Sequence, residues 1–409
     1  MSHQFKSWWG APRAFSERRQ ERKISWLELF FDLVYVATID QLTHHIANHP
    51  SWSTIGYSFL LFALVFWSWV NASQYYDLHG NDSIRTRLFT FYQMLAVAAV
   101  AITLNDAFEG YHVAFSIAFA AIQFLITYLW WSVGFFDPSH RVFSKFYTFN
   151  YAIAFALLVV SAFTSSSTAT ILWVLVLILN LTPPFTVAPT IKRELGKIGQ
   201  VFTASNSLVE RFGLFTIIVL AESILSTVTG IAEVKDKLPS AWIAFFVAIL
   251  LSFLLWSLYF DMTSEQETKA GYGYMLSFIF LHFPLLASLG IVGACIKTTL
   301  VDMSAGMTDQ LQWMFCSAMS IILISIVGLT LIMKQDEEDR SYIKPVSRLL
   351  VIVSIAIVLL PMLQLTTNTL VFLSLIAVLL LVPVFFGIRS WVLYKFYRKE
   401  ESAPDAISS

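Results

Sequence analysis

Long apolar runs recur along the chain, and the charged residues collect in the gaps between them. Twelve such runs fall at roughly 26–46, 55–75, 88–108, 112–134, 146–165, 168–188, 208–230, 240–261, 273–296, 312–333, 346–365 and 369–394. About 20 apolar residues in a helix cover the ~30 Å hydrocarbon core of a bilayer. The runs are continuous and do not alternate, so they do not fit the ten-residue strands of a membrane β-barrel. In lipid a helix satisfies its own backbone. The pattern therefore predicts an all-α integral membrane protein with about 12 transmembrane helices.

Composition agrees. Of the 409 residues, 57% are hydrophobic and 13% charged, with mean hydropathy +0.68, against about 25% charged in an ordinary soluble chain. This excludes a soluble enzyme, a nucleic-acid binder and a disordered protein. A net charge of −1 sets up no field that would draw polyanions. Two Cys form no disulfide framework.

The Lys and Arg residues give an orientation. Twenty-two of the 26 fall in the tails and the even-numbered gaps: Lys6 to Lys23, Arg85 and Arg87, Arg141 and Lys145, Lys192 to Lys197, Lys269, Lys334 to Arg348, and Arg389 onward. The opposite side carries Lys235, Lys237 and Lys297. Arg211 stands at the start of the seventh helix, on the basic side. Both termini are expected in the cytoplasm, with the chain in the cell (inner) membrane. The tail before Trp26 is charged and has no apolar stretch, so no cleavable signal peptide is expected.

The first and seventh helices repeat one pattern. Ser25, Glu28 and Asp40 recur as Ser207, Glu210 and Glu222, each 182 residues on. In the following helices, Trp67-Ser68 and Tyr75-Tyr76-Asp77 answer Trp256-Ser257 and Tyr259-Phe260-Asp261, and Gln93 of the third helix answers His282 of the ninth. Two parallel six-helix repeats are expected, related by an axis along the membrane normal. The expected organisation is a tail at 1–25, repeats at 26–188 and 208–394, a linker at 189–207 and a tail at 395–409. The linker is polar and follows Pro183-Pro184, which are expected to end the sixth helix.

Intramembrane acids are the candidate chemistry, because a charge at the bilayer centre costs roughly 2.5–3.5 kcal/mol. Glu28, Asp32 and Asp40 share one arc of the first helix, which His44 extends. Ser-x-x-Glu at Glu28 and at Glu210 reads as a capping box or as a cytoplasmic mouth. Asp77 and Asp261, near cytoplasmic helix ends, suit ion pairs with Arg85 or Arg211. Asp40 and Glu222 each lie about 18 Å beyond their cap glutamate. They are expected to face each other and to share a proton or cation. Asp32 and His282 extend that ion or substrate path, His282 as a proton relay. His45 and His49 have metal spacing, but Pro50 ends the helix there, and no metal or cofactor is expected. No Walker loop, HExxH or G-x-S-x-G motif occurs, so no enzyme is expected.

Trp26-Leu27-Glu28-Leu29-Phe30-Phe31-Asp32-Leu33-Val34-Tyr35-Val36 resembles the opening signature of the low temperature requirement A (LtrA) family of bacterial membrane proteins. Glu210 to Glu222 resembles its second signature, with Ala221 where members usually carry Gly. The resemblance covers nearly the whole chain. It implies a polytopic membrane protein linked by name to growth in the cold, and it supplies no substrate or cofactor. Three readings stand: a proton- or cation-coupled secondary transporter, preferred; a two-repeat cation channel; and a non-transporting membrane stress protein. The expected partners are lipids and a small ion or solute, with no nucleic acid.

Overall fold

The computed structural model describes residues 10–14, 22–197, 203–234, 237–263, 266–303, 305–335 and 337–401. Lys6, Arg18, Arg19, Lys235, Gly199 and the chain after Glu401 lie outside the described residues, as do the side chains of Lys192, Arg193, Lys197, Arg340, Lys395, Arg398 and Lys399. Among the described residues the chain forms twelve α-helices and no strand. They are α1 (Trp26–Asn48), α2 (Trp52–His79), α3 (Ile84–Phe108), α4 (His112–Phe136), α5 (Arg141–Ser161), α6 (Ser166–Lys197), α7 (Asn206–Glu233), α8 (Pro239–Thr263), α9 (Tyr272–Val301), α10 (Asp309–Ile332), α11 (Glu337–Leu359) and α12 (Thr369–Glu401).

In line with the expected number of about twelve, eleven of these helices are long and apolar enough, among the described residues, to cross a membrane. The exception is α1. Its 23 residues suffice in length, but Glu28, Asp32, Asp40, Gln41, His44 and His45 dilute its apolar character. Large apolar side chains such as Ile102, Phe163, Leu331 and Phe385 lie on the outside, the surface expected of helices that meet lipid.

Contacts divide the chain into two compact units: 1–222 with 269–283, and 223–268 with 284–409. The first unit is organised around α2, which packs on α1, α4 and α6. From Leu61 to Asp77 every residue of α2 is buried, polar Ser68, Asn71, Ser73, Gln74 and Asp77 included, as befits a helix at the centre of its unit. Interhelical polar bonds, which hold helices together where water is excluded, cross this unit. Gln123 and Asn180 exchange amide bonds at 2.9 and 3.0 Å between α4 and α6, and Tyr151 donates to Asn71.

Pro183-Pro184 do not end α6, which runs on past Pro189 to Lys197. Proline removes the N–H that would bond the carbonyl four residues earlier. For Pro184 that carbonyl is Asn180's, and the Trp67 indole on α2 donates to it at 2.7 Å. A neighbouring helix thus supplies the lost donor, the condition under which a membrane helix tolerates proline. The Tyr272 hydroxyl donates to the Pro184 carbonyl at 2.8 Å.

In the second unit α8 packs on α10 and α12, and α11 packs on both α10 and α12. Ser320 and Ser354 bond each other's carbonyls between α10 and α11. Gly293 of α9 lets Ser223 of α7 approach, and a Cβ there would meet the Ser223 hydroxyl at 3.0 Å.

Candidate functional site: a buried charge network

The first unit encloses four charges. Ser25 caps α1 and forms the expected box: its hydroxyl accepts from the Glu28 amide at 3.3 Å while Glu28 accepts from the Ser25 amide. This turn places the Glu28 carboxylate inward, where Arg22 bonds both of its oxygens at 2.6 and 2.8 Å. Asp32 lies one turn on, on the same face, with no exposed surface.

Arg211 enters from the second turn of α7 and is itself 2% exposed. Its Nη2 donates to Asp32 Oδ1 at 2.7 Å and its Nε to Oδ2 at 3.0 Å, while Nη1 lies 3.4 Å from Glu28. The Trp69 indole of α2 donates to Asp32 Oδ1 at 2.6 Å. The guanidinium sits 5.5 Å from the Phe31 ring and 5.8 Å from that of Trp69, both within cation–π reach. Trp69 in turn stacks on Phe215 at 4.2 Å. Two acids and two arginines leave the network neutral, and a buried pair persists only when its remaining lone pairs and protons are satisfied.

The other expected site residues divide. Asp40 is half-buried and accepts from Gln41 at 3.2 Å; Glu222 is buried on α7. No hydrogen bond or ion pair joins Asp40 to Glu222 among the described residues. The acid arc of α1 separates along its length: Glu28 and Asp32 are inside, and His44 is exposed beside Asn48. His282 is fully buried, with Nδ1 donating to the Phe278 carbonyl at 2.7 Å and Phe278 and Phe212 against its ring. His45 stacks on Phe108, and no group of three or more metal-binding side chains occurs among the described residues.

Three expectations need correction. Glu210 does not cap α7. Ser205 does, accepting from the Leu208 amide, and Glu210 is exposed. Ser207 turns instead to Asp77, whose Oδ1 accepts from the Ser205 and Ser207 hydroxyls, so two serines stand where an arginine was expected. Asp261 accepts from Ser257 at 2.6 Å. Among the described residues Arg211 pairs with the acids of α1 and not with Asp77. The signal for this was present: an arginine inside an apolar helix must find an acid, and Glu28 and Asp32 stand four residues apart on one face.

Two features escaped sequence reasoning. Trp69 was indistinguishable from the many lipid-facing aromatics. Arg85, counted as a connection charge, is 1% exposed. It donates to Tyr75 and Ser132 and lies 5.6–6.0 Å from the Phe89, Tyr128 and Phe136 rings. Ser83 caps α3 one residue before it begins, which draws Arg85 into the first turn. In the short α4–α5 connection, burial pushes His140 down to about 4, against the opposing pull of Asp137.

The profile of the bacterial low temperature requirement A protein (LtrA) family matches residues 23–384. The chain belongs to this family. The match takes in both helices of the charge network, so Glu28, Asp32 and Arg211 all lie inside the LtrA region. Among curated relatives, the uncharacterized protein RA0937 of Rhizobium meliloti (strain 1021) is 25% identical over 291 residues, covering 67% of this chain and 68% of its own. The chain is thus a multi-pass LtrA-family membrane protein with many apolar helices.

Proposed function

We propose that this LtrA-family protein is a secondary transporter that couples solute movement to a proton or cation, with Asp32 and Arg211 at the coupling site. The observation that carries the reading is the fully buried Asp32–Arg211 pair linking α1 to α7. A carrier needs an element with two arrangements whose balance a ligand shifts. Protonating Asp32, or placing a cation on it, cancels the charge that holds Arg211 and frees the guanidinium for Glu28 or for an anionic solute. Asp40, Glu222 and His282 are assigned to the path on either side. The proposal retains two parallel repeats, both termini in the cytoplasm and residence in the bacterial cytoplasmic membrane, and it assigns the chain no catalytic step.

Proteoliposomes containing a trapped pH dye test it under imposed Na+, K+ and pH gradients. The wild type should move protons above the empty-liposome rate. Asp32→Asn should abolish that movement, and Asp32→Glu should retain part of it. Equal flux in wild type and Asp32→Asn would overturn the assignment of Asp32. Channel-sized unitary steps in planar bilayers would replace the carrier with a cation channel.

A further inference from the structure

The second unit holds a cavity that the charge network does not use. It measures about 390 Å³ and is lined by Leu258, Asp261 and Met262 of α8, Val346 of α11, and Pro383, Val384, Gly387 and Ile388 of α12. That volume suits a small organic molecule. Every lining side chain except that of Asp261 is apolar.

Asp261 gives the cavity its sign. It lies in the last turn of α8, where the macrodipole places partial negative charge. The one hydrogen bond it receives among the described residues comes from Ser257. Asp77, its counterpart in the sequence pattern, takes two serine hydroxyls inside the first unit. Lys344 and Arg348 stand two residues either side of Val346 on α11 and are exposed, and Arg389 is exposed beside Ile388. No ion pair joins any of these three to Asp261 among the described residues. Asp261 is itself exposed, and a solvent-reaching carboxylate at a helix C-terminus that lines an otherwise apolar cavity suits a positive charge carried on an apolar body.

We infer that this cavity binds a lipophilic monocation, a quaternary ammonium or phosphonium-like ion, with its charge at Asp261 and its body against Leu258, Met262, Val346, Val384 and Ile388. The inference is independent of the transport reading, since equilibrium binding reads it without flux. The full chain in lipid nanodiscs is dialysed against tetraphenylphosphonium, with empty nanodiscs subtracted, and against tetraphenylborate as the anion of equal shape. Saturable binding of the cation, and none of the anion, is expected. Asp261→Asn should weaken cation binding roughly ten-fold or more. Gly387→Leu, which fills the cavity and leaves the carboxylate in place, should abolish it. Size-exclusion profiles matching the wild type show that both variants fold. Equal binding of cation and anion, or wild-type cation affinity in Asp261→Asn or in Gly387→Leu, would overturn the inference.

Discussion

Removing the charge of Asp32 is the sharpest perturbation of the network. Asp32→Asn keeps the shape and an acceptor for Trp69 but strips the charge that Arg211 meets at 2.7 Å. At an effective dielectric constant of ~20, a pair ~4 Å apart is worth about 4 kcal/mol, and deleting one member of a buried pair typically costs about 3–5 kcal/mol. Glu28, 3.4 Å from Arg211, recovers part of this, so Asp32→Asn should fall near the lower bound. Arg211→Gln leaves the buried Asp32 carboxyl without its counter-charge and with only the Trp69 donor, and should fall near the upper. The double variant leaves Glu28 with Arg22, a balanced pair at 2.6 Å. Its cost should be below the sum of the single costs by about 2 kcal/mol or more. Reversible unfolding in mixed dodecylmaltoside–SDS micelles, followed by tryptophan fluorescence, measures all three. Single and double costs that add to within about 0.5 kcal/mol would show that the two groups do not act as a pair, and the network would lose its meaning.

Trp67→Phe should destabilise the protein by about 1–3 kcal/mol, because it orphans the Asn180 carbonyl that Pro184 has already deprived of its helical donor; the same titration checks it. His140 sits at about 4 when folded, held there by burial, and near 6.5 when unfolded. Above pH 6.5 both states are neutral and the residue contributes nothing to pH dependence. As pH falls from 6.5 to 4 only the unfolded state takes the proton, so stability should drop by about 3 kcal/mol across that window. His140→Gln should flatten this part of the stability–pH profile, and an unchanged slope would refute the assignment.

The apolar runs alone set the all-helical class, because a chain in lipid must bond its own backbone within each run. The family signatures on α1 and α7 were equally legible, as was the Ser25–Glu28 box, since a cap depends only on residues three apart. Where the sequence misled, a partner distant along the chain decided the outcome. Pro183-Pro184 read as a helix end until Trp67, 113 residues earlier than Asn180, supplied the missing donor. Glu210 repeated the Glu28 spacing, yet Ser205 capped α7 while Ser207 turned to Asp77, 130 residues away. The acids of α1 were legible as residues that must avoid lipid. Which of them meets a counter-charge was not, because spacing along a helix fixes the face a side chain shares but not what stands opposite it. Packing placed Arg211 against Asp32 and left Asp40 with Gln41. Local bonding is written in the order of residues, whereas the pairing of buried charges is settled only where distant helices meet and desolvation makes an unpaired charge too costly to keep.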